Sequence, residues 1–325
     1  MTVDQLRWRP PTSADTEAWS KLLVAMDAVD RLNEIYSPDE LAEEMTTPGV
    51  DPSADGRFGF TADGELVAFA MVTGRPAGDA LELHRVQLWG GVHPEHRGRG
   101  IGRELLAWMI DHGEAKHRAD HPDVDGVLEV RCADTEPAKE AMVRRAGFTP
   151  LRYWYEMVCD LRKVEIEPAE IAEGLRIEPY RAELDEEVRL AHNEAFSDHW
   201  GSTPADAERW RHSYTGLNFR PDLSFVVLEG DEVVAYLLTN RYPQDDAARG
   251  APHGWIDYIG SRRAHRGRGL ATALLRTACL AYRDAGFAEA LLGVDVENPS
   301  GALGLYERFG FTLDRRATSY ARPVA

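Results

Sequence analysis

A chain of 325 residues is long enough for two ordinary domains, and 43% hydrophobic with 28% charged residues is the composition of a globular protein without biased tracts. With 37 Lys and Arg against 55 Asp and Glu, the net charge of −18 argues against nonspecific binding to nucleic acid or an anionic membrane, where basic residues supply the affinity. Cys132, Cys159 and Cys279 form neither a disulfide framework nor a metal-ligand spacing, so no metal is expected, and Cys279 reads as buried packing. Met1–Pro10 has no apolar leader core and no stretch is long enough to span a bilayer, so the cytoplasm is the expected compartment.

Leu6–Pro10 reads as a first strand, followed by a helix over Thr16–Val29 and a second helical piece opened by Ser37-Pro38, a cap residue with proline at the first helical position. Arg57–Thr61 and Leu66–Val72 flank the turn Asp63-Gly64 as a hairpin. A fourth strand, Leu81–Val92, leads into the glycine-rich turn Arg97-Gly98-Arg99-Gly100-Ile101-Gly102 and the helix it opens. A strand over Val127–Cys132 follows, then a helix that stops at Ala146-Gly147-Phe148 before the last strand.

The series then repeats. Leu175–Pro179 is the strand, Asp185–Phe196 the helix, and Thr203-Pro204 the second helix start. Ser224–Leu228 and Val233–Leu238 flank Gly230-Asp231, and Trp255–Ser261 is the fourth strand. It leads into Arg266-Gly267-Arg268-Gly269-Leu270-Ala271, 169 positions after the first glycine-rich turn. Ala290–Val296 and a helix stopped at Phe309-Gly310-Phe311 complete the copy. Each half combines a hairpin meander with a β-α-β crossover, so a mixed α/β (α+β) sheet with helices on both faces is expected. The expected domains are 1–160 and 174–325, with the charged, Pro- and Gly-containing stretch 161–173 as linker.

A glycine-rich turn at the start of a helix exposes unpaired backbone N–H groups at the positive end of the helix dipole, which suits a phosphate. Arg/Gln-x-x-Gly-x-Gly/Ala between a strand and a helix resembles the acetyl-CoA-binding motif of the GNAT superfamily of N-acetyltransferases. The resemblance continues through Val294-Asp295-Val296-Glu297-Asn298-Pro299 to Leu305-Tyr306-Glu307-Arg308-Phe309-Gly310-Phe311, which is similar to the family's fifth strand and following helix. It covers nearly the whole chain as a tandem pair of acyl-CoA N-acyltransferase domains, a layout similar to that of the mycothiol synthases. Ala195 to Gly201 has the look of a loop in such tandem proteins.

The resemblance implies a site. Arg266, Gly267, Arg268, Gly269, Leu270, Ala271 and Thr272 would hold the acetyl-CoA pyrophosphate, and Ile259, Gly260 and Ser261 would pair with the pantetheine arm. Tyr306 is the expected acid for the departing thiolate and Asp257, sharing a strand face with Trp255 and Ile259, the expected base. Asn298 is a cofactor contact or the cap of the helix after Pro299. Glu194, His199 and Trp200 border the expected acceptor cleft, and Pro243–Pro252 is a solvated loop that could line it. In the first half, Gly91, Val92 and Arg97, Gly98, Arg99, Gly100, Ile101 and Gly102 repeat the cradle, but Val143 stands where Tyr306 does and Leu88 where Asp257 does. Glu82 and His84, on its fourth strand, are the titratable groups left to it.

The expected function is acetyl transfer from acetyl-CoA to a small primary amine by direct attack in a ternary complex, carried out by the C-terminal half. The first half would be a structural or acetyl-CoA-binding partner, and a monomer is compatible with a tandem pair that supplies its own domain interface. A non-catalytic acetyl-CoA sensor and a protein-acetylating regulator are the alternatives.

Overall fold

The computed structural model describes residues 5–33, 35–75, 79, 81–298 and 301–324. The chain divides into two compact units, Met1–Tyr153 with Ala317–Ala325, and Trp154–Arg316. The first contains β1 (Arg7–Arg9), α1 (Thr16–Asp30), α2 (Pro38–Glu44), α3 (Pro52–Asp55), β2 (Gly56–Phe60), β3 (Leu66–Thr73), β4 (His84–Val92), α4 (Ile101–Asp120), β5 (Gly126–Ala133), α5 (Pro137–Arg145) and the start of β6 (Thr149–Asp160). The second takes the rest of β6 and then β7 (Leu175–Pro179), α6 (Asp185–Ala195), α7 (Ala207–Thr215), β8 (Phe225–Glu229), β9 (Glu232–Asn240), α8 (Asp245–Arg249), β10 (His253–Ser261), α9 (Leu270–Asp284), β11 (Glu289–Asp295) and α10 (Ala302–Phe309). It ends within β12 (Thr312–Pro323).

In the first unit β1 to β4 pair antiparallel in sequence order, β4 and β5 run parallel, and Ala317–Pro323 of β12 adds antiparallel to β5. The second unit repeats this with β7 to β10, the parallel β10–β11 pair, and Trp154–Asp160 of β6 on β11. The last strand of each half of the sequence therefore lies largely in the unit built from the other half, so the first unit is split in sequence while the second runs unbroken from Trp154 to Arg316. The stretch 161–173, read as a linker, gives Leu161 and Ile166 to the core of the second unit.

Both faces of each sheet are covered, as the crossover and the meander require. In the first unit Leu105 of α4 packs with Val86 and Leu128 on one face, while Trp19 and Leu22 of α1 pack with Phe58 and Phe69 on the other. In the second, Leu274 of α9 packs with Ile256 and Leu292, and Val188 and Ala191 of α6 with Trp210 of α7 pack with Tyr236 and Leu238 on the opposite face. Ser37 caps α2 in a full capping box, as the Ser-Pro start predicts. Thr203-Pro204 does not begin a helix: α7 starts at Ala207, because Asp206 accepts from the N–H groups of Glu208 and Arg209 and caps it three residues on.

Candidate functional site

The parallel ladder between β10 and β11 joins His253–Ile256 to Glu289–Leu292 and goes no further among the described residues. Beyond it β10 stays on β9 and β11 stays on β6, so the two strands part and leave an edge along Ile259–Ser261. An extended ligand can pair there as an added strand. At the end of that edge α9 begins. Gly267 and Gly269 take φ of +74° and +79°, which only glycine adopts at little cost, and Gly269 caps the helix. The Ala273 N–H is the first to bond within α9, accepted by Gly269, so the N–H groups of Leu270, Ala271 and Thr272 lie ahead of it at the positive helix end. Arg266 and Arg268 are exposed, and Arg266 donates to the Ala195 carbonyl at the end of α6.

Asp257 sits where the ladder to β9 skips. Ile256 pairs with Thr239 and Tyr258 with Leu238, so Asp257 is the extra residue of a β-bulge. A bulge sets two consecutive side chains on one face. Tyr258 meets His192 at 4.7 Å and Phe196 at 5.2 Å between ring centres, on the α6 face, and Asp257 accepts a 2.9 Å bond from Tyr214 of α7. Ile259 packs with Ile256 on the α9 face. The expectation that Asp257 shares a face with Ile259 is thus corrected: the bulge shifts the alternation by one. Burial pushes the Asp257 carboxyl up from 3.8 to about 6, against the lowering effect of the Tyr214 bond.

The same face carries polar groups that periodicity does not reveal. Tyr236 is fully buried and its hydroxyl lies 2.9 Å from His192 Nδ1, while burial pushes His192 down to about 4 and keeps it neutral. A Cβ on Gly260 would fall 2.6 Å from the Tyr236 hydroxyl, so this position must remain glycine for the ring to lie so close. Tyr306 belongs to the α9 face, in the core with Leu270 and Leu274, its ring 5.9 Å from Phe311. Burial pushes its phenol up to about 12, so it holds its proton at neutral pH. Acid and base candidates therefore come from opposite faces of the sheet that parts between them.

The remaining expectations fall differently. Asn298 is not a helix cap: α10 begins at Ala302 after Gly301 in the left-handed region, and Asn298 lies in the turn organised by Asp295, whose carbonyl accepts its N–H. Pro299 is outside the described residues. Glu194 is tied into the frame; burial opposes its ionisation, but the Arg262 guanidinium and the Arg263 N–H, at 2.8 and 2.9 Å, hold its carboxyl below the ordinary value. His199 donates from Nδ1 to the Trp200 carbonyl, and its ring lies 5.3 Å from Phe196, within the α6–α7 loop. Pro243–Pro252 contains the short α8, whose Asp246 binds Arg241 and His253 at the far end of β10 from the cradle. His192, Tyr214, Tyr236 and Tyr258 escaped the sequence reading; the i, i+4 spacings His192–Phe196 and Trp210–Tyr214 were the available signal.

The first unit has the cradle and a filled face. Gly98 and Gly100 take φ of +74° and +88° before α4, and β4 leaves β5 after Gln87–Glu129, so Gly91 and Val92 lie on the parted strand. Arg97 is fixed by both guanidinium nitrogens on Asp30, at 2.7 and 2.6 Å, and by its Nε on the Val92 carbonyl. The β3–β4 ladder runs through Leu88 without a bulge, and Leu88 and Val143 are buried. Phe69 pairs across from Gly91 as Tyr236 does from Gly260, and a Cβ on Gly91 would fall 2.2 Å from Met26 Cε. Trp19, Phe58, Phe69 and Trp89 close this face ring against ring. Glu82 precedes β4, and His84 is buried at its other end against His117 and His121, so neither reaches the cradle.

Among the described residues no group of three or more His, Cys, Asp or Glu is arranged to hold a metal ion, and no helix is long and apolar enough to cross a membrane. The model of the acetyltransferase (GNAT) family matches the chain twice, over residues 26–148 and 186–311. A mycothiol acetyltransferase of Nocardiopsis dassonvillei is 30% identical over 84% of this chain and 83% of its own, and one of Thermobispora bispora is 29% identical over 93% and 94%. The crystal structure of a GCN5-related N-acetyltransferase from Sphaerobacter thermophilus superimposes with a TM-score of 0.75 at 26% identity, covering all of this chain and 97% of that one. A tandem GNAT protein of the clavulanic acid biosynthesis pathway shares the fold, with a TM-score of 0.71 at 15% identity over 98% and 99% of the two chains.

Proposed function

Because the chain belongs to the acetyltransferase (GNAT) family, we propose that its second unit moves an acetyl group from acetyl-CoA to a small primary amine, and that its first unit does not. The Asp257 bulge carries the reading, because it sets a carboxyl with a pKa raised to about 6 on the face opposite α9, beside the parted strand. Ile259–Ser261 would receive the pantetheine arm, and the N–H groups of Leu270, Ala271 and Thr272 with Arg266 and Arg268 the pyrophosphate. Asn298 lies in the turn at the end of β11 and would border the arm.

Bound acetyl-CoA supplies an electrophilic thioester carbonyl. Asp257, ionised above about pH 6, takes a proton from the acceptor ammonium so that the nitrogen lone pair is available. Tyr306 would give its phenolic proton to the departing sulfur, and the second proton that the nitrogen sheds as the amide forms would restore the phenol. A backbone N–H on the Ile259–Ser261 edge would stabilise the charge that develops on the carbonyl oxygen. No group of the protein is acylated on the way. The relatives called mycothiol acetyltransferases support a small-molecule acceptor, and the rings of Phe196, His199, Trp200 and Tyr258 would line its site with Glu194 behind them. The first unit keeps the cradle but has buried Leu88 and Val143 at the places of Asp257 and Tyr306 and rings packed over the matching face, which supports binding without turnover.

The test is turnover with acetyl-CoA and a panel of probe amines: glucosamine, L-cysteinamide, spermidine and kanamycin. CoA release and the mass of the acetylated amine are both read. Acetylation of at least one amine that is lost in Asp257→Asn is expected; acetyl-CoA binding with no turnover on any amine would favour a sensor.

A further inference from the structure

We propose that Tyr214 is a positioning residue, whose hydroxyl holds the Asp257 carboxylate in its working orientation. The inference rests on the reading of Asp257 as the base. Two departures from regular backbone meet at one hydrogen bond. β10 carries its bulge at Asp257, and the last turn of α7 unwinds at Tyr214, with φ −112° and ψ 17°. Between them the phenol donates to Oδ2 over 2.9 Å. A regular ladder would alternate Asp257 with its neighbours, and a regular final turn would aim Tyr214 elsewhere. The first unit has a regular ladder at Leu88.

The ring is fixed independently of the bond it makes. Its centre lies 4.4 Å from Trp210 and 5.2 Å from Phe219, and Trp210 is itself tied by its indole N–H to Asp185 at 2.7 Å. The donor therefore needs no reorganisation when the carboxylate changes charge. The titratable groups facing Asp257 are Tyr214 from α7, Tyr258 from its own strand and Tyr236 from β9, with His192 of α6 behind Tyr236. Burial, with Asp257 beside it, pushes the Tyr214 phenol well above its ordinary value, so it remains a donor. Oδ2 is occupied in this way, and Oδ1 is the oxygen left for the acceptor's proton.

The test is Tyr214→Phe in the full chain, which keeps the ring and removes the donor. A ¹³C-carboxyl NMR titration follows Asp257, its resonance identified by its loss in Asp257→Asn. Removing a bond to the ionised form is expected to raise the midpoint by about half to one pH unit. The acid limb of kcat, measured with the panel amines, should move with it, while the KM for acetyl-CoA stays within about twofold. Tyr214→Leu, which also lacks the donor, should shift the limb the same way. An unmoved midpoint and limb, with activity lowered evenly at all pH values, would mean that Tyr214 only anchors α7; the proposal then fails while the role of Asp257 stands. Wild-type turnover in Asp257→Asn would overturn both.

Discussion

Gly91 of the first unit and Gly260 of the second stand 169 positions apart at the same point of the parted strand, each facing an aromatic residue across the ladder. In the first unit that residue is Phe69, and the space beside it is packed with Met26, Trp19 and Trp89. In the second it is Tyr236, held by a buried neutral histidine and neighboured by a carboxyl and two further tyrosines. Close aromatic packing adds stability beyond the area it buries. Buried hydroxyls, a histidine and a carboxyl add little and constrain the fold to satisfy them. One copy packs this face with rings and the other leaves it polar, as the proposed chemistry requires, with the glycine-rich turn present in both.

The largest test of that contrast lies in the rate. Tyr306→Phe and Asp257→Asn should each lower kcat by about 10²- to 10⁴-fold, the usual worth of a positioned acid or base. Val143→Ala, at the matching place in the first unit, should cost about 1–3 kcal/mol of stability in chemical denaturation and leave kcat within about twofold. If Val143→Ala lowers kcat as Tyr306→Phe and Asp257→Asn do, with the fold intact, the division of labour is wrong.

A second test compares the cradles. Gly269→Val places a β-branched residue at φ +79°, where it strains the first turn of α9. Calorimetry should show acetyl-CoA affinity at the second unit weakened by at least about tenfold, with turnover lost in step. Gly100→Val, strained in the same way at φ +88°, should remove only the first unit's binding. Loss of turnover in Gly100→Val, with the fold intact, would contradict a purely structural or binding role for that unit.

The pH dependence is more graded. With Asp257 at about 6, kcat should fall about tenfold per pH unit below that value and level off above it. The same shift has a stability consequence. The folded carboxyl keeps its proton between 3.8 and about 6, a range in which the unfolded one has lost it, so ionising this site destabilises the fold as pH rises through that window. Asp257→Asn does not titrate. By differential scanning its Tm should exceed that of the wild type by a few degrees at pH 8, and the difference should shrink towards pH 4. An equal gap at both pH values would remove the Asp257 carboxyl as its cause.

Most of the frame was legible because it rests on short-range rules. The repeat, the Asp63-Gly64 turn, the Ser37-Pro38 cap and the Gly147 and Gly310 stops all state their geometry within a few residues. The cradle and Tyr306 were legible through a motif. The bulge was not, because the ladder to Thr239 and Leu238 creates it and nothing around Asp257 announces an extra residue. Glu194 looked like an acceptor contact because its Arg262 partner lies 68 positions away. Asn298 resembled a cap only because Asn-Pro is a helix start elsewhere. The acceptor face as a whole depends on α6, α7, β9 and β10 meeting, and no local pattern encodes that meeting.

The placement of β12 bears on how the molecule comes into being. Ala317–Pro323 completes the first unit's sheet on β5, closing a loop of more than 180 residues, while β6 is available to the second unit long before β11 is made. A ribosome working from the amino end therefore makes β1 to β5 of the first unit without this strand and supplies it only after β11 and α10 of the second. The unit begun first is finished last. A stop codon just before Ala317 would spare Tyr306, Asp257 and the whole second cradle, and would leave β5 of the first unit without this partner.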